Sequence, residues 1–340
     1  MPLDPEVREF YKEKIENRSF EPPTYDIHIL RSGADRTFND KAEIEPIFCW
    51  EERVIERIPD SESAFRKPKD KSAGIHADPI LDDLSSPDFP NLTVRIYYPD
   101  ESMGLPVILY FHGGGFILHN VRSHDSLCRK LANTWEAVVV SCEYRLAPEY
   151  PYPAAVEDGC ALFDWAKIHA EEIGGNPEFI YLSGDSAGAS TAAAVSRMAC
   201  ITGCQDQIAG QILFYGTYSA QAGSRHSMEE FGGGDYVLPK KMADGFEGMY
   251  LPAHPDPNDP FLYPASGKIP ENYPYTLLIR GEYDPLRDES VDFAQKLDEA
   301  GDPHDEILAE GMMHGFLLYW HKFSKVPLIL EEAGRLLSLR

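Results

Sequence analysis

Residues 179–188 constrain the fold more than any other stretch of this chain. Phe179-Ile180-Tyr181-Leu182-Ser183 is short, apolar and β-prone, the pattern of a buried strand. It leads directly into Gly184-Asp185-Ser186-Ala187-Gly188, a G-x-S-x-G turn, and then into a run of small, helix-compatible residues ending at Cys200. A strand that turns sharply into a helix at a serine holds the hydroxyl clear of the backbone. Glycines are expected on both sides because such a turn leaves no room for Cβ atoms. Small side chains let the helix lie close to a sheet, and its amino terminus directs the helix dipole at Ser186, favouring negative charge there.

G-x-S-x-G alone also describes an ordinary glycine turn. Upstream, however, His112-Gly113-Gly114-Gly115-Phe116 follows a second apolar run, and a glycine-rich turn in that place can aim backbone N–H groups at a developing oxyanion. The two motifs in this order point to acyl transfer. Ser186 is then the nucleophile, with the amides of Gly113, Gly114 and Ala187 as oxyanion donors.

A serine hydroxyl needs a base, itself oriented by an acid, and this arrangement expects the chain order Ser, Asp or Glu, His. Of the histidines downstream of Ser186, His314 alone sits in a glycine-punctuated loop following a strand-like run, Asp305-Glu306-Ile307-Leu308. That is the carboxyl end of a strand, where catalytic groups of α/β sheets collect. For the acid, Tyr275 to Arg280 reads as a strand and Gly281-Glu282-Tyr283-Asp284-Pro285-Leu286-Arg287-Asp288 follows it. Asp284, before a turn fixed by Pro285, is assigned to orient His314. Glu282 is the alternative, and Asp288 reads as the N-cap of the next helix.

These residues resemble the hormone-sensitive-lipase-like branch of the α/β-hydrolases, the esterases often grouped with arylacetamide deacetylase. Tyr144-Arg145-Leu146-Ala147-Pro148-Glu149, Pro153 to Asp158, Asp284-Pro285-Leu286-Arg287-Asp288, His314-Gly315-Phe316 and the opening Pro2-Leu3-Asp4-Pro5-Glu6 are all similar to segments of that family. The resemblance covers most of the chain and is weakest at residues 20–90 and 217–262. It departs at Ala189, where the family usually has a third glycine, and at His119, where glycine is common. Residues 59–90 look longer than the usual turn between the first two strands. Plant hormone receptors on the same fold lack the catalytic histidine, so the presence of His314 argues for an enzyme.

Strands are expected near 52–58, 92–98, 106–111, 137–142, 179–183, 211–215, 275–280 and 304–308. Helices are expected near 124–133, 154–170, 187–202, 289–300 and 326–337, with Gly203 and Gly301 as terminators. Alternation after residue 106 implies a mostly parallel sheet with right-handed crossovers, and the two early strands can pair antiparallel at one edge. The expected class is α/β: an α/β-hydrolase fold, a mostly parallel eight-stranded sheet with helices on both faces and a helical lid. The catalytic core falls at 46–216 and 263–340. The excursion between Tyr215 and Tyr275 is too long for a simple connection, and residues 217–262 with 1–45 are expected to form the lid. In the first helix Asp4 can cap, Pro5 can open, and Val7, Phe10, Tyr11 and Ile15 share a face. Phe10 on that face, with Phe116, Tyr215 and Met313 beside the motifs, are the candidate substrate contacts.

The formal charge of −25 over 340 residues weighs against nucleic-acid or anionic-membrane binding. No apolar run reaches the length of a membrane span, and the amino terminus lacks the basic and apolar regions of a signal peptide. Six cysteines lie scattered without a disulfide framework. Cys200 and Cys204 lack the further ligands of a zinc site. The expectation is a cytoplasmic enzyme with no cofactor and no metal, taking a small-molecule ester substrate, with a homodimer open. An amidase or deacetylase using the same triad, and a small-molecule receptor reusing the pocket, are the competing readings.

Overall fold

The computed structural model describes residues 3–17, 26–28, 30–31, 45–56, 91–220 and 222–338. The long segment at 59–90 lies outside them. Strands β1 (Cys49–Ile55), β2 (Leu92–Tyr98), β3 (Leu105–Phe111), β4 (Val138–Glu143), β5 (Gly175–Asp185), β6 (Gly210–Phe214), β7 (Thr276–Tyr283) and β8 (His304–Met313) form one sheet. Their order is β1-β2-β4-β3-β5-β6-β7-β8. β2 runs antiparallel to β1 and to β4, and every pair from β4 to β8 is parallel. The main helices are α1 (Pro5–Phe10), α2 (Lys12–Asn17), α3 (Asp125–Trp135), α4 (Ala154–His169), α5 (Ala187–Thr202), α6 (His226–Phe231), α7 (Lys240–Tyr250), α8 (Arg287–Ala300) and α9 (Lys325–Ser338).

The inner strands β3, β4 and β6 are apolar on both faces because both are covered, as parallel sheets require, while the edge strand β1 is largely exposed. Along β3, Val107, Leu109 and Phe111 pack with α4, α5 and α8 in one core layer, while Ile108 and Tyr110 pack with α3 and α9 in the other. Alternation of side chains along the strand produces this division. Gly203 and Gly301 end α5 and α8 in the left-handed conformation, as their positions predict.

β7 and β8 outrun the sequence expectation, continuing to Tyr283 and Met313. Their pairing survives a register shift between Gly281 and Tyr283, so the glycines that looked like loop punctuation are absorbed as an irregularity in paired strands. As a result Ser186, Asp284 and His314 each occupy the first position after a strand. With the glycine turn after β3, they share the carboxyl edge of the sheet.

Asp4 caps α1 by accepting the Glu6 amide at 2.9 Å, and its own N–H donates to the Gly311 carbonyl at 3.1 Å. Val7 and Tyr11 are buried in the core layer that also holds α9. Phe10 points elsewhere: it is 44% exposed, with its ring against Tyr319 and Phe323.

Candidate active site

The turn from β5 into α5 places Ser186 at φ 52°, ψ −120°, a strained conformation that persists because the surroundings fix it. The Ser186 N–H donates to the Phe214 carbonyl at 2.8 Å. A Cβ on Gly188 would overlap the Phe111 carbonyl, so a glycine is needed for α5 to pass this close to the end of β3.

The Ser186 hydroxyl lies 2.9 Å from Nε2 of His314. On the far side of the ring, Nδ1 lies 3.0 and 2.9 Å from the two carboxylate oxygens of Asp284. Asp284 is fully buried and accepts the Leu286 N–H at 2.7 Å, which fixes its orientation across Pro285. The three residues the sequence named are therefore joined in one relay.

The other acids have different partners. Glu282 accepts the Gly311 N–H at 2.8 Å, steadying the irregular stretch of β8. Asp288 does not cap its helix. It lies in the first turn of α8 and accepts the Ser227 N–H at 2.8 Å, tying α6 to α8. Glu149 pairs with Arg31 through two hydrogen bonds of 2.9 and 2.8 Å, bracing the adjoining loops as a structural residue would.

The glycine turn departs from the sequence expectation at one donor. The Gly113 N–H does not face Ser186; it donates to Asp185 Oδ1 at 2.8 Å. The same oxygen accepts the Tyr110 hydroxyl at 2.8 Å, and Nε2 of His124 stands 3.2 Å away. Burial alone would raise the Asp185 pKa, but His124, Tyr110 and the Gly113 amide outweigh it and bring it down to about 2. The following glycines differ. Gly114 (φ 121°) and Gly115 (φ 62°) are in conformations that suit glycine, and both line the cavity over Ser186. Ala187 lines it too, as the first residue of α5, where an N–H has no partner within its helix. With the Gly113 amide engaged, Gly114, Gly115 and Ala187 line the cavity with backbone N–H groups of their own to offer. A sequence cannot reveal that an aspartate inside one motif claims the first amide of the other.

A family model described as the alpha/beta hydrolase fold matches residues 108–318. The esterase LipI of Mycobacterium tuberculosis is 32% identical over 327 residues, spanning 90% of this chain and 97% of its own. The chain belongs to the α/β-hydrolase family. The features quoted from its sequence place it in the hormone-sensitive-lipase-like branch of that family. An ethyl acetate hydrolase of Pseudomonas putida is 30% identical to this α/β-hydrolase over 256 residues, covering 74% of this chain and 77% of its own. Among solved structures, a hyperthermophilic esterase from the archaeon Pyrobaculum calidifontis superposes with a TM-score of 0.84 at 29% identity, covering 99% and 98% of the two chains.

The cavity of this α/β-hydrolase has a volume of about 300 Å³ and opens onto Ser186 and His314. Its walls come from Tyr11, from the glycine turn through His119, from Val237 and Leu238, from α7, and from the segment after His314. Of the four substrate contacts expected from sequence, only Phe116 lines it, its ring stacked on Tyr250 at 3.7 Å. Phe10 gives way to its neighbour Tyr11, because the turn of α1 that buries Val7 carries Tyr11 inward one turn later. Tyr215 is fully buried behind the relay, its ring 4.9 Å from that of His314. Met313 is the last residue of β8 and sits in the core. Adjacency to a motif misleads here, because successive strand residues face opposite sides of the sheet. Sequence reasoning missed Phe246, Tyr250 and Leu262, whose apolar cluster closes one wall. Phe246 and Tyr250 are spaced four apart on α7, and that period is the signal that could have found them.

Proposed function

We propose that this carboxylic-ester hydrolase cleaves small, short-chain acyl esters through Ser186, His314 and Asp284 by way of a covalent acyl-enzyme. The observation that carries the reading is the unbroken relay from hydroxyl to imidazole to buried carboxylate, opening on a cavity of about 300 Å³.

His314 takes the Ser186 proton as the oxygen attacks the ester carbonyl. The oxyanion that forms is held by the amides of Gly114, Gly115 and Ala187. His314 then hands the proton to the leaving alcohol, and the acyl group stays on Ser186. Water enters, gives its proton to His314, and attacks the acyl carbon. Collapse of that second intermediate releases the acid and returns the proton to Ser186. Asp284 holds the imidazole in the tautomer this sequence needs. The wall formed by Tyr11 and α7 supports a lid drawn from residues 1–45 and 217–262. The small, largely apolar cavity supports short acyl chains of roughly two to eight carbons, by fold-level analogy.

No described helix is long and apolar enough to cross a membrane. The six cysteines are all free, which supports a reducing compartment such as the cytoplasm.

The test is a pre-steady-state burst of p-nitrophenol from p-nitrophenyl acetate, with turnover lost in Ser186→Ala. Matched anilides decide whether amides are cleaved as well. A folded wild-type protein with neither burst nor turnover on any ester would sink the reading and leave a receptor on this fold.

A further inference from the structure

We propose that His119 is a specificity-determining residue whose side chain closes the acyl end of the substrate cavity. The inference rests on Ser186 being the nucleophile of an ester hydrolase. His119 holds φ 73°, a backbone conformation that glycine adopts freely and a histidine rarely does. The ring that comes with this strain is half-buried and lines the cavity together with Gly114, Gly115 and Ser186. A Cβ built on Gly114 would stand 2.8 Å from His119 Cδ2, so the imidazole lies directly against a glycine of the turn that lines the cavity. It also meets the His124 ring edge-on, with centroids 5.5 Å apart, and His124 in turn flanks Asp185. Contacts to the loop and to a buried histidine leave the ring a fixed wall.

The wall is a neutral one. Burial, helped by His124 and His112, lowers the His119 pKa to about 3, so the ring offers the cavity no charge at neutral pH. Its place follows from the direction of proton transfer. His314 must reach the leaving oxygen, so the alcohol belongs on the His314 side of the cavity. The acyl chain is then left the space bounded by the glycine turn through His119 and by α7.

The experiment compares wild type with His119→Gly, which suits φ 73°, and His119→Asn, which tolerates that conformation and keeps a shorter polar side chain. The readout is kcat/KM for p-nitrophenyl acetate, butyrate and octanoate, and for acetates of alcohols of increasing size. The octanoate-to-acetate ratio should rise on the order of tenfold in His119→Gly, the scale of discrimination a pocket wall provides. His119→Asn should fall between, and the alcohol series should keep its order. An unchanged ratio overturns the proposal. So does an equal fall at every acyl length, which would make the ring a prop for Gly114, or a change that follows the alcohol. Wild-type inactivity on all of these esters would instead overturn the underlying reading of the site, a result distinct from an unchanged ratio in an active enzyme.

Discussion

Asp185→Asn tests the anchor beneath the oxyanion loop. The substitution keeps the shape and one acceptor oxygen and removes the charge. Asp185 is 2% exposed, and its pKa sits near 2 against an ordinary 3.8. At about 1.4 kcal/mol per unit, the ionised carboxylate stabilises the fold by about 2 kcal/mol at neutral pH. A second route agrees. The Tyr110 hydroxyl and the Gly113 amide each donate to it at 2.8 Å, and turning two charge-assisted bonds into neutral ones forfeits about 1 kcal/mol apiece. Because the folded pKa is depressed, this stabilisation is present above 3.8 and fades as pH falls towards 2, so wild type and variant should converge in acid. The kinetic consequence is indirect. A looser Gly113 lets the Gly114 and Gly115 amides drift, and outright loss of one oxyanion donor is worth about 3 kcal/mol. Acting at one remove, the variant should lose about 10- to 100-fold in kcat with KM little changed. Thermal unfolding and single-turnover acylation by p-nitrophenyl acetate measure the two effects. A folded variant with kcat within twofold of wild type would refute the anchoring argument and return Gly113 to the list of free donors.

Asp284→Asn should lower kcat about 10⁴-fold by favouring the wrong imidazole tautomer, whereas Glu282→Gln, bound to the Gly311 amide, should lose only a few-fold; the reverse ranking in steady-state assays would reassign the acid. Tyr11→Ala should change KM several-fold and alter chain-length preference, while Phe10→Ala leaves both near wild type, and equal behaviour would return Phe10 to the cavity wall. The fold should also weaken in mild acid. Burial, followed by His124, lowers the His112 pKa to about 3, so the unfolded chain binds more protons between 6.5 and 3, and stability falls throughout that window as pH drops. At pH 5, one and a half units below 6.5, His112 alone should remove about 2 kcal/mol, with His119 acting in the same direction. Urea unfolding at pH 7 and pH 5 with equal results would contradict this.

The sequence by itself determined the strand-elbow-helix unit at Ser186, the order serine, acid, base, and the parallel sheet that carries them. These are local matters: turn chemistry, apolar runs and glycines at fixed offsets leave a sharp serine turn few alternatives. It also favoured Asp284, in the turn that Pro285 fixes, with Glu282 kept as the alternative and Asp288 read as an N-cap. The tertiary structure decided what depends on residues far apart in the chain. Asp185 takes the Gly113 amide across 72 positions, so that amide is already engaged and Gly114 and Gly115 are the glycines of the turn that line the cavity. The length of β8 depended on pairing with β7, which carries the strand through Gly311 despite its loop-like look. The cavity wall was the least legible part. Side-chain direction is set by helix phase and strand pleat, so Tyr11 enters where Phe10 does not, and Tyr215 and Met313 turn into the core beside His314.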